Sequence, residues 1–230
     1  LLGFGTKMDL ILTHEQTDLD GLASMLGAYL LRPEAIALLP RQINRNGKAF
    51  LRRYANDLPF SDYQALPHES IKSVFLVDTQ SLVTLRGMSD QTKVTVLDHH
   101  PRKTQIHPDW QVELHLTGAC TTILVEKLRE QNATLTPIEA TLMLLGIHED
   151  TGSLTYTCTT ARDAQAVASL LEQGADLNIA SVYLNPPLSN AQQQLYDRLL
   201  KDLFQLDIEG YSILVAKAMA NDLNDEISTV

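Results

Sequence analysis

Carboxylates and imidazoles gather at four points of this chain that are remote in sequence, and each point is where an apolar run ends. His14, Asp18 and Asp20 follow the run Met8–Thr13. Asp78 closes Ser73–Val77. Asp98-His99-His100 closes Lys93–Leu97, and Asp150 follows the helix-like run Ala140–Ile147. Strand ends of a parallel sheet share one edge, so these groups are expected to meet there. Acids and imidazoles brought together repel or desolvate one another unless something positive sits between them. The inventory could hold two divalent metal ions. Two adjacent histidines behind a carboxylate suit transition-metal ligation. Read singly, each cluster has a plainer meaning: Asp18 and Asp20 as helix caps, His14 as a surface residue, Asp78 as a turn former, Asp150-Thr151-Gly152 as a helix-ending turn. Four such clusters, each at the end of an element, favour a site.

The elements that must position them alternate between strand-like and helix-like through the first two thirds, which predicts βαβ units, an α/β fold with a parallel sheet, and helices on both faces. Strands are expected at Met8–Thr13, Ala35–Leu39 (stopped by Pro40), Ser73–Val77 and Lys93–Leu97, with an edge strand at Gln111–Leu116. Apolar spacing predicts a helix over Gly21–Leu31, with Asp20 as its N-cap and Gly21 giving room for a tight entry. A short basic helix covers Gly47–Tyr54. Further helices are expected over Cys120–Gln131, Pro137–Ile147, Ala161–Gln173 and Ile179–Leu184, with Pro137 in a first turn and Gly174 past an end.

The composition shifts at Asn185-Pro186-Pro187, where two prolines favour an extended connector. A polar helix over Ser189–Phe204 and a hairpin over Asp207–Lys217, turning at Glu209-Gly210, come next. One hairpin cannot bury a core of its own. The expected organisation is a catalytic domain over 8–185, a linker helix over 186–206, and the incomplete beginning of a second domain over 207–230. Met8 reads as a natural start, with Leu1–Lys7 as an added or upstream extension.

With 230 residues, 44% of them hydrophobic, the chain can bury one large core. It has no apolar run of eighteen residues and no signal-peptide pattern, so no membrane span is expected. Cys120 and Cys158 form no disulfide framework or metal-binding pair, which points to a reducing cytoplasm. The formal net charge of −10 and the lack of a basic stripe argue against binding long duplex nucleic acid. They do not argue against a small phosphate substrate, because bound metals would reverse the local sign.

His14-x-x-x-Asp18-x-Asp20, the Asp78 strand end, Asp98-His99-His100 and Asp150-Thr151-Gly152 resemble, in order, the four motifs of the DHH phosphoesterase superfamily. That superfamily holds RecJ-type exonucleases, nano-RNases that also act on phosphoadenosine phosphate, cyclic dinucleotide phosphodiesterases and class II inorganic pyrophosphatases. The resemblance runs from about residue 9 to 185, and His14 is similar to the nano-RNase and pyrophosphatase branches. The segment after Pro187 resembles the linker and opening strands of the family's smaller C-terminal DHHA1 domain, without its glycine-rich substrate motif. The whole pattern is also similar to the N-terminal DHH portion of large bacterial proteins that continue into CBS and nucleotidyltransferase modules.

The resemblance implies a ligand assignment. His14, Asp18 and Asp78 would hold one metal; Asp20, Asp78, His99 and Asp150 would hold the other. Asp78 would bridge ions roughly 3.5–4 Å apart. Mn²⁺ suits mixed carboxylate and imidazole ligands, with Mg²⁺ as the second choice. Asp98 would orient a histidine through its other N–H, and His100 would serve substrate phosphate as donor or proton carrier. The implied reaction is hydrolysis of a phosphoester in a short single-stranded oligonucleotide or small nucleotide, by a water that the two metals activate. Arg102, with Lys103, and the amides of Gly118, Cys120 and Thr121 at a helix start are candidate phosphate contacts; solvated charge and ordinary capping are their plainer readings. Cys120 reads as a packing residue rather than a nucleophile. Two other readings compete: a class II-type inorganic pyrophosphatase, and a nucleotide-binding regulatory module of a larger RNA-processing protein. Whether a homodimer completes the cleft stays open.

Overall fold

Six parallel strands form the central sheet of this computed structural model, which describes residues 7–63, 66, 69–184 and 188–219. In chain order the elements are β1 (Lys7–Leu12), β2 (Gln16–Thr17), α1 (Leu19–Leu31), β3 (Ile36–Leu38), β4 (Gln42–Ile43), α2 (Arg45–Tyr54), β5 (Phe60–Ser61), β6 (Ser70–Val77), β7 (Lys93–Asp98), β8 (Gln111–Leu114), α3 (Cys120–Glu130), α4 (Pro137–Asp150), α5 (Ala161–Glu172) and α6 (Leu177–Leu184). After these come α7 (Asn190–Lys201), β9 (Phe204–Ile208) and β10 (Tyr211–Val215). The chain divides into two units, 1–184 and 185–230. Pro186, Pro187 and residues 220–230 lie outside the described residues.

The sheet order is β5-β3-β1-β6-β7-β8, every neighbouring pair parallel. The chain builds outward from β1 in one direction, then returns to place β6 on the other side of β1. That reversal opens a crevice beyond the C-terminal ends of β1 and β6, where open α/β sheets bind ligands. His14 follows β1 and Asp78 follows β6, so both stand at the crevice.

Side chains alternate across the strands with a period of two. Ile11, Phe75, Val77 and Leu97 enter one buried cluster, together with residues from all of α1 to α6. Leu10, Leu12, Val74, Leu76, Val94 and Val96 enter the other. Burial on both faces explains why the strands read as continuous apolar runs. The second face differs from the expected helical layer. Among the described residues it is covered by Leu66 from the connection between β5 and β6, by Leu82, Leu85 and Met88 from the irregular connection between β6 and β7, and by Trp110 from the connection between β7 and β8. Helix α1 is buried from Leu19 to Ala28 between the sheet and α3 and α4. Gly146 permits that closeness: a Cβ there would lie 2.7 Å from the Ala23 Cβ.

Caps set the helix starts. Thr136 and Glu139 form a reciprocal capping box ahead of Pro137. Helix α1 is capped by Asp18, whose Oδ1 accepts from the Gly21 N–H at 3.0 Å. This corrects the expectation of Asp20, which lies inside the first turn and is buried. In the second unit, α7 ends at Lys201, earlier than expected, and Phe204 opens the hairpin. The hairpin turns at Glu209-Gly210 with positive φ at both residues, as a two-residue loop requires.

Asp163 ties three segments together. Its fully buried carboxylate accepts the Gly118 N–H at 2.9 and 3.0 Å, the Thr122 hydroxyl at 2.6 Å, and both the N–H and hydroxyl of Thr160 at 2.7 Å. Burial alone would raise its pKa, but these donors outweigh it and hold the group below 3.8. A carboxylate with a depressed pKa in the folded state stabilises the fold above its unfolded pKa, and that contribution fades as pH falls through the folded value. Asp163→Asn is expected to cost about 1.5–3 kcal/mol at pH 7, the worth of a charged hydrogen bond. In denaturant unfolding, the gap between wild type and variant should narrow as the pH drops below 3.8.

Candidate metal centre

The centre is assembled from the ends of five elements, β1, α1, β6, β7 and α4. The loop between β1 and α1 carries His14 and Asp18, the first turn of α1 carries Asp20, the end of β6 is followed by Asp78, the end of β7 by His99 and His100, and α4 ends on Asp150. Gly21 makes room for the loop, since a Cβ there would lie 2.9 Å from the Thr17 Cγ2 and 3.0 Å from the His14 Nε2.

Asp78 lies between two histidine groups. Its Oδ2 is 3.4 Å from the His14 Nε2, and its Oδ1 is 3.4 Å from the His99 Nε2. Each oxygen thus faces a different imidazole. Ligand atoms of His14, Asp18 and Asp78 fall within 4.8 Å of one another, and so do those of Asp20, Asp78, His99 and Asp150. Asp78 also takes a left-handed backbone, φ 56°, sparsely populated for a residue other than glycine.

The environment of His99 tests whether these residues suit a cation. Its Nδ1 is 3.2 Å from the Thr117 carbonyl oxygen, which can only accept, so Nδ1 carries the hydrogen. A neutral ring then turns the Nε2 lone pair towards Asp20 at 3.9 Å, Asp78 at 3.4 Å and Asp150 at 3.3 Å. His99 Nε2 and Asp78 Oδ1 are both buried without a hydrogen bond. A lone pair facing three carboxylates calls for a positive occupant, and a divalent cation fits this donor set. Without one, a proton fills the role. Burial disfavours charge on His99, yet the Asp150, Asp78 and Asp20 carboxylates outweigh it and push its pKa up to about 12. His14 follows the same logic through Asp18 and Asp78, pushed up to about 10.

The acids show the converse. Asp20 is fully buried, and its pKa is raised by burial and by the charges of Asp78 and Asp150. Asp150 is raised by burial first, and it terminates a helix, where the macrodipole is negative.

The amides at the start of α3 are not free for a substrate anion. Cys120 N–H donates to the Asp20 Oδ2 at 2.8 Å, Thr121 N–H to the Asp20 Oδ1 at 3.0 Å, and Gly118 N–H to Asp163. Both Cys120 and Thr121 are buried. The expected phosphate contact at Gly118, Cys120 and Thr121 is therefore corrected: this helix start holds a carboxylate of the centre. The Cys120 thiol is buried, donates to the Leu97 carbonyl, and has its pKa raised by burial. Arg102 is exposed and is not among the residues lining the cavity over the centre, whereas Lys103 is. That cavity has a volume of about 500 Å³.

Asp98 is buried and pairs with His100, Oδ1 to Nδ1, at 2.8 Å. Burial would raise its pKa; His100 and Gln80 overcome this and hold it near 2. The Asp98 charge in turn raises His100. Gln80 escaped the sequence reading. Its Nε2 donates to Asp98 at 2.7 Å, and its Oε1 accepts the Lys103 N–H at 2.8 Å, fixing the loop behind the histidines. Glu149 also escaped it. One Glu149 oxygen accepts the Leu19 N–H and the other the Asn44 side-chain amide at 3.0 Å, locking α4 to the starts of α1 and α2. Burial raises the Glu149 pKa to about 7. No local pattern marks either residue; only their partners across the fold reveal them.

Residues 10–147 match the model of the DHH family, N-terminal domain, and the chain belongs to that family. Its fold is of the phosphoesterase type found there. The chain is 35% identical over 230 residues to an A-adding tRNA nucleotidyltransferase of Geobacter sulfurreducens, covering 97% of this chain and 26% of that protein. It thus spans about a quarter of that relative's length. It is 27% identical over 120 residues to a bifunctional oligoribonuclease and PAP phosphatase of Mycoplasma genitalium, covering 51% and 38% of the two chains. In fold it is similar to a Methanococcus jannaschii protein assigned as a family II inorganic pyrophosphatase, with TM-score 0.61, 20% identity, and coverage of 91% and 71%. That likeness concerns the fold alone.

A divalent cation at about 100 times its Kd should stabilise the chain by about 2.7 kcal/mol for each site it fills. Thermal unfolding with and without Mn²⁺ measures this. Asp78→Ala is expected to remove the Mn²⁺-dependent rise.

Proposed function

We propose that this chain is a two-metal phosphoesterase acting on short oligonucleotides or small nucleotides, with His14, Asp18 and Asp78 at one ion and Asp20, Asp78, His99 and Asp150 at the other. The observation that carries this reading is Asp78, each of whose oxygens faces a different histidine group. Carboxylates mixed with two imidazoles favour Mn²⁺ over Mg²⁺, which prefers an all-oxygen shell. When bound, such a pair lowers the pKa of water towards neutrality and offsets charge growing on the phosphoryl oxygens.

The chain's own groups supply the rest. His100 lines the cavity, and Asp98 holds its Nδ1 and favours its protonated form. It is placed to donate to a non-bridging oxygen or to the leaving oxygen. Gln80 keeps Asp98 ionised and so acts through His100. Lys103, at the cavity wall, offers a charge to phosphate, although its Nζ also donates to the Ser81 hydroxyl at 2.6 Å. Arg102 is retained only as an exposed contact for a longer substrate.

A second reading is supported by the near-complete match to part of a tRNA nucleotidyltransferase. In it the chain is a nucleotide-binding module of a larger RNA-processing polypeptide, followed by further domains. Turnover separates the two, because a binding module retains nucleotide without forming product.

With Mn²⁺ and a dinucleotide substrate, Asp78→Ala should abolish hydrolysis. His100→Ala should lower kcat by about 10²–10⁴, the usual share of one acid–base group, while leaving Mn²⁺ binding intact. Pyrophosphate in the same assay tests the alternative substrate. Full activity in Asp78→Ala would refute the bridging assignment, and faster turnover of pyrophosphate would make the chain a pyrophosphatase.

A further inference from the structure

A second cavity, of about 240 Å³, lies at the same rim of the sheet. Its lining includes Leu12, Leu38 and Leu76, the ends of β1, β3 and β6, all buried, together with Leu85, Tyr63 and Arg41. Tyr63 is 41% exposed, and the Arg41 guanidinium lies 5.4 Å from the centre of its ring.

This cavity adjoins the metal centre through two shared walls. In the loop after β1, Thr13 and Glu15 line the apolar cavity, while His14 between them lines the cavity over the candidate metal centre. In the connection after β6, Thr79 and Gln80 line the metal side, and Val83 and Leu85 line the apolar side. Arg41 also opens a stretch, ending at Arg53, that carries five exposed cations and no acid, in a chain of net charge −10. Within that stretch β4 pairs with β2, so a basic surface is hydrogen-bonded to the metal loop itself.

An apolar floor, an aromatic ring and a guanidinium are the chemistry that receives a planar heterocycle: stacking, burial of its faces and a cation–π contact. The volume is below the roughly 300–1,000 Å³ of pockets that enclose a whole drug-sized ligand, and suits one ring system. We propose that this cavity holds the base of a nucleotide whose phosphate lies at the metal centre. Adjacent positive charge then serves the phosphates that continue along the strand. Inorganic polyphosphate would leave the apolar cavity empty, so the site selects nucleotides. The position of the phosphate rests on the phosphoesterase reading above.

The test compares adenosine 5′-monophosphate with ribose 5-phosphate, which lacks the base, in equilibrium binding to the Mn²⁺-loaded chain. The nucleotide should bind about tenfold more tightly or better, on the scale of one stacked base. Leu85→Trp, which fills the cavity, should remove that preference and leave the affinity for ribose 5-phosphate unchanged. Tyr63→Ala, at an exposed position that does not threaten folding, should weaken the preference on its own. Equal affinities in the wild type, no measurable binding of either compound, or a preference that survives both substitutions would overturn the proposal. Failure of the phosphoesterase reading looks different: base-dependent binding persists while no dinucleotide is cleaved.

Discussion

Mutual repulsion among acids at one sheet edge is the constraint on which the rest of this structure depends. Asp20, Asp78 and Asp150 converge on the same unbonded imidazole nitrogen of His99. Such a cluster persists only if its members are held from behind. Two amides of α3 hold Asp20, the Thr117 carbonyl holds the far nitrogen of His99, and Gln80 with His100 holds Asp98. Each support comes from a different segment, so neither Asp20 nor Asp98 can swing away without breaking a bond to another part of the fold. The helix start that resembles an anion site is consumed in this way, because a buried carboxylate needs those donors more than solvent does.

The topology explains why two cavities lie side by side. Reversal of strand order between β1 and β6 opens the crevice that the clustered acids and histidines line. Among the described residues, helices α1 to α6 contribute to the cluster on one face of the sheet, while the other face is covered by connections, chief among them the irregular one after β6. A helix would pack continuously along the strands. The irregular connection instead passes from Gln80, beside the candidate metal centre, to Leu85, over the strand ends, and encloses apolar space between them. One loop therefore borders both a charged and an apolar compartment.

Much of this was legible in the chain. Strand cores such as Val74–Val77 and Val94–Leu97 announce themselves because both faces of the sheet are buried, and capping signals such as Thr136-Pro137 are local chemistry. The acids and histidines at strand ends could be grouped because a parallel sheet delivers such ends to one edge. Other features were not legible. The short pair β2 and β4 has too few residues to show a period. Asp18 and Asp20 are both competent caps, and only the burial of Asp20 against α3 decides which one performs that task. Asp163, Glu149 and Gln80 act on partners 18 to 130 positions away. A side chain whose role lies in a distant contact leaves no mark on its own neighbourhood in the sequence.

Local rules are broken most at the residue most central to the centre. Asp78 adopts a backbone conformation that an aspartate tolerates at a cost, leaves one oxygen buried without a hydrogen bond, and faces other acids. Asp20 shows that the fold can satisfy a buried carboxylate when satisfaction is the aim, since both of its oxygens receive amide donors. The contrast lies within one site, so it cannot be laid to poor packing of the region. Sequences otherwise consistent with their fold concentrate such violations where a ligand repays them. A buried oxygen without a hydrogen-bond donor, opposite an imidazole nitrogen in the same condition, presents two ligand atoms to a cation.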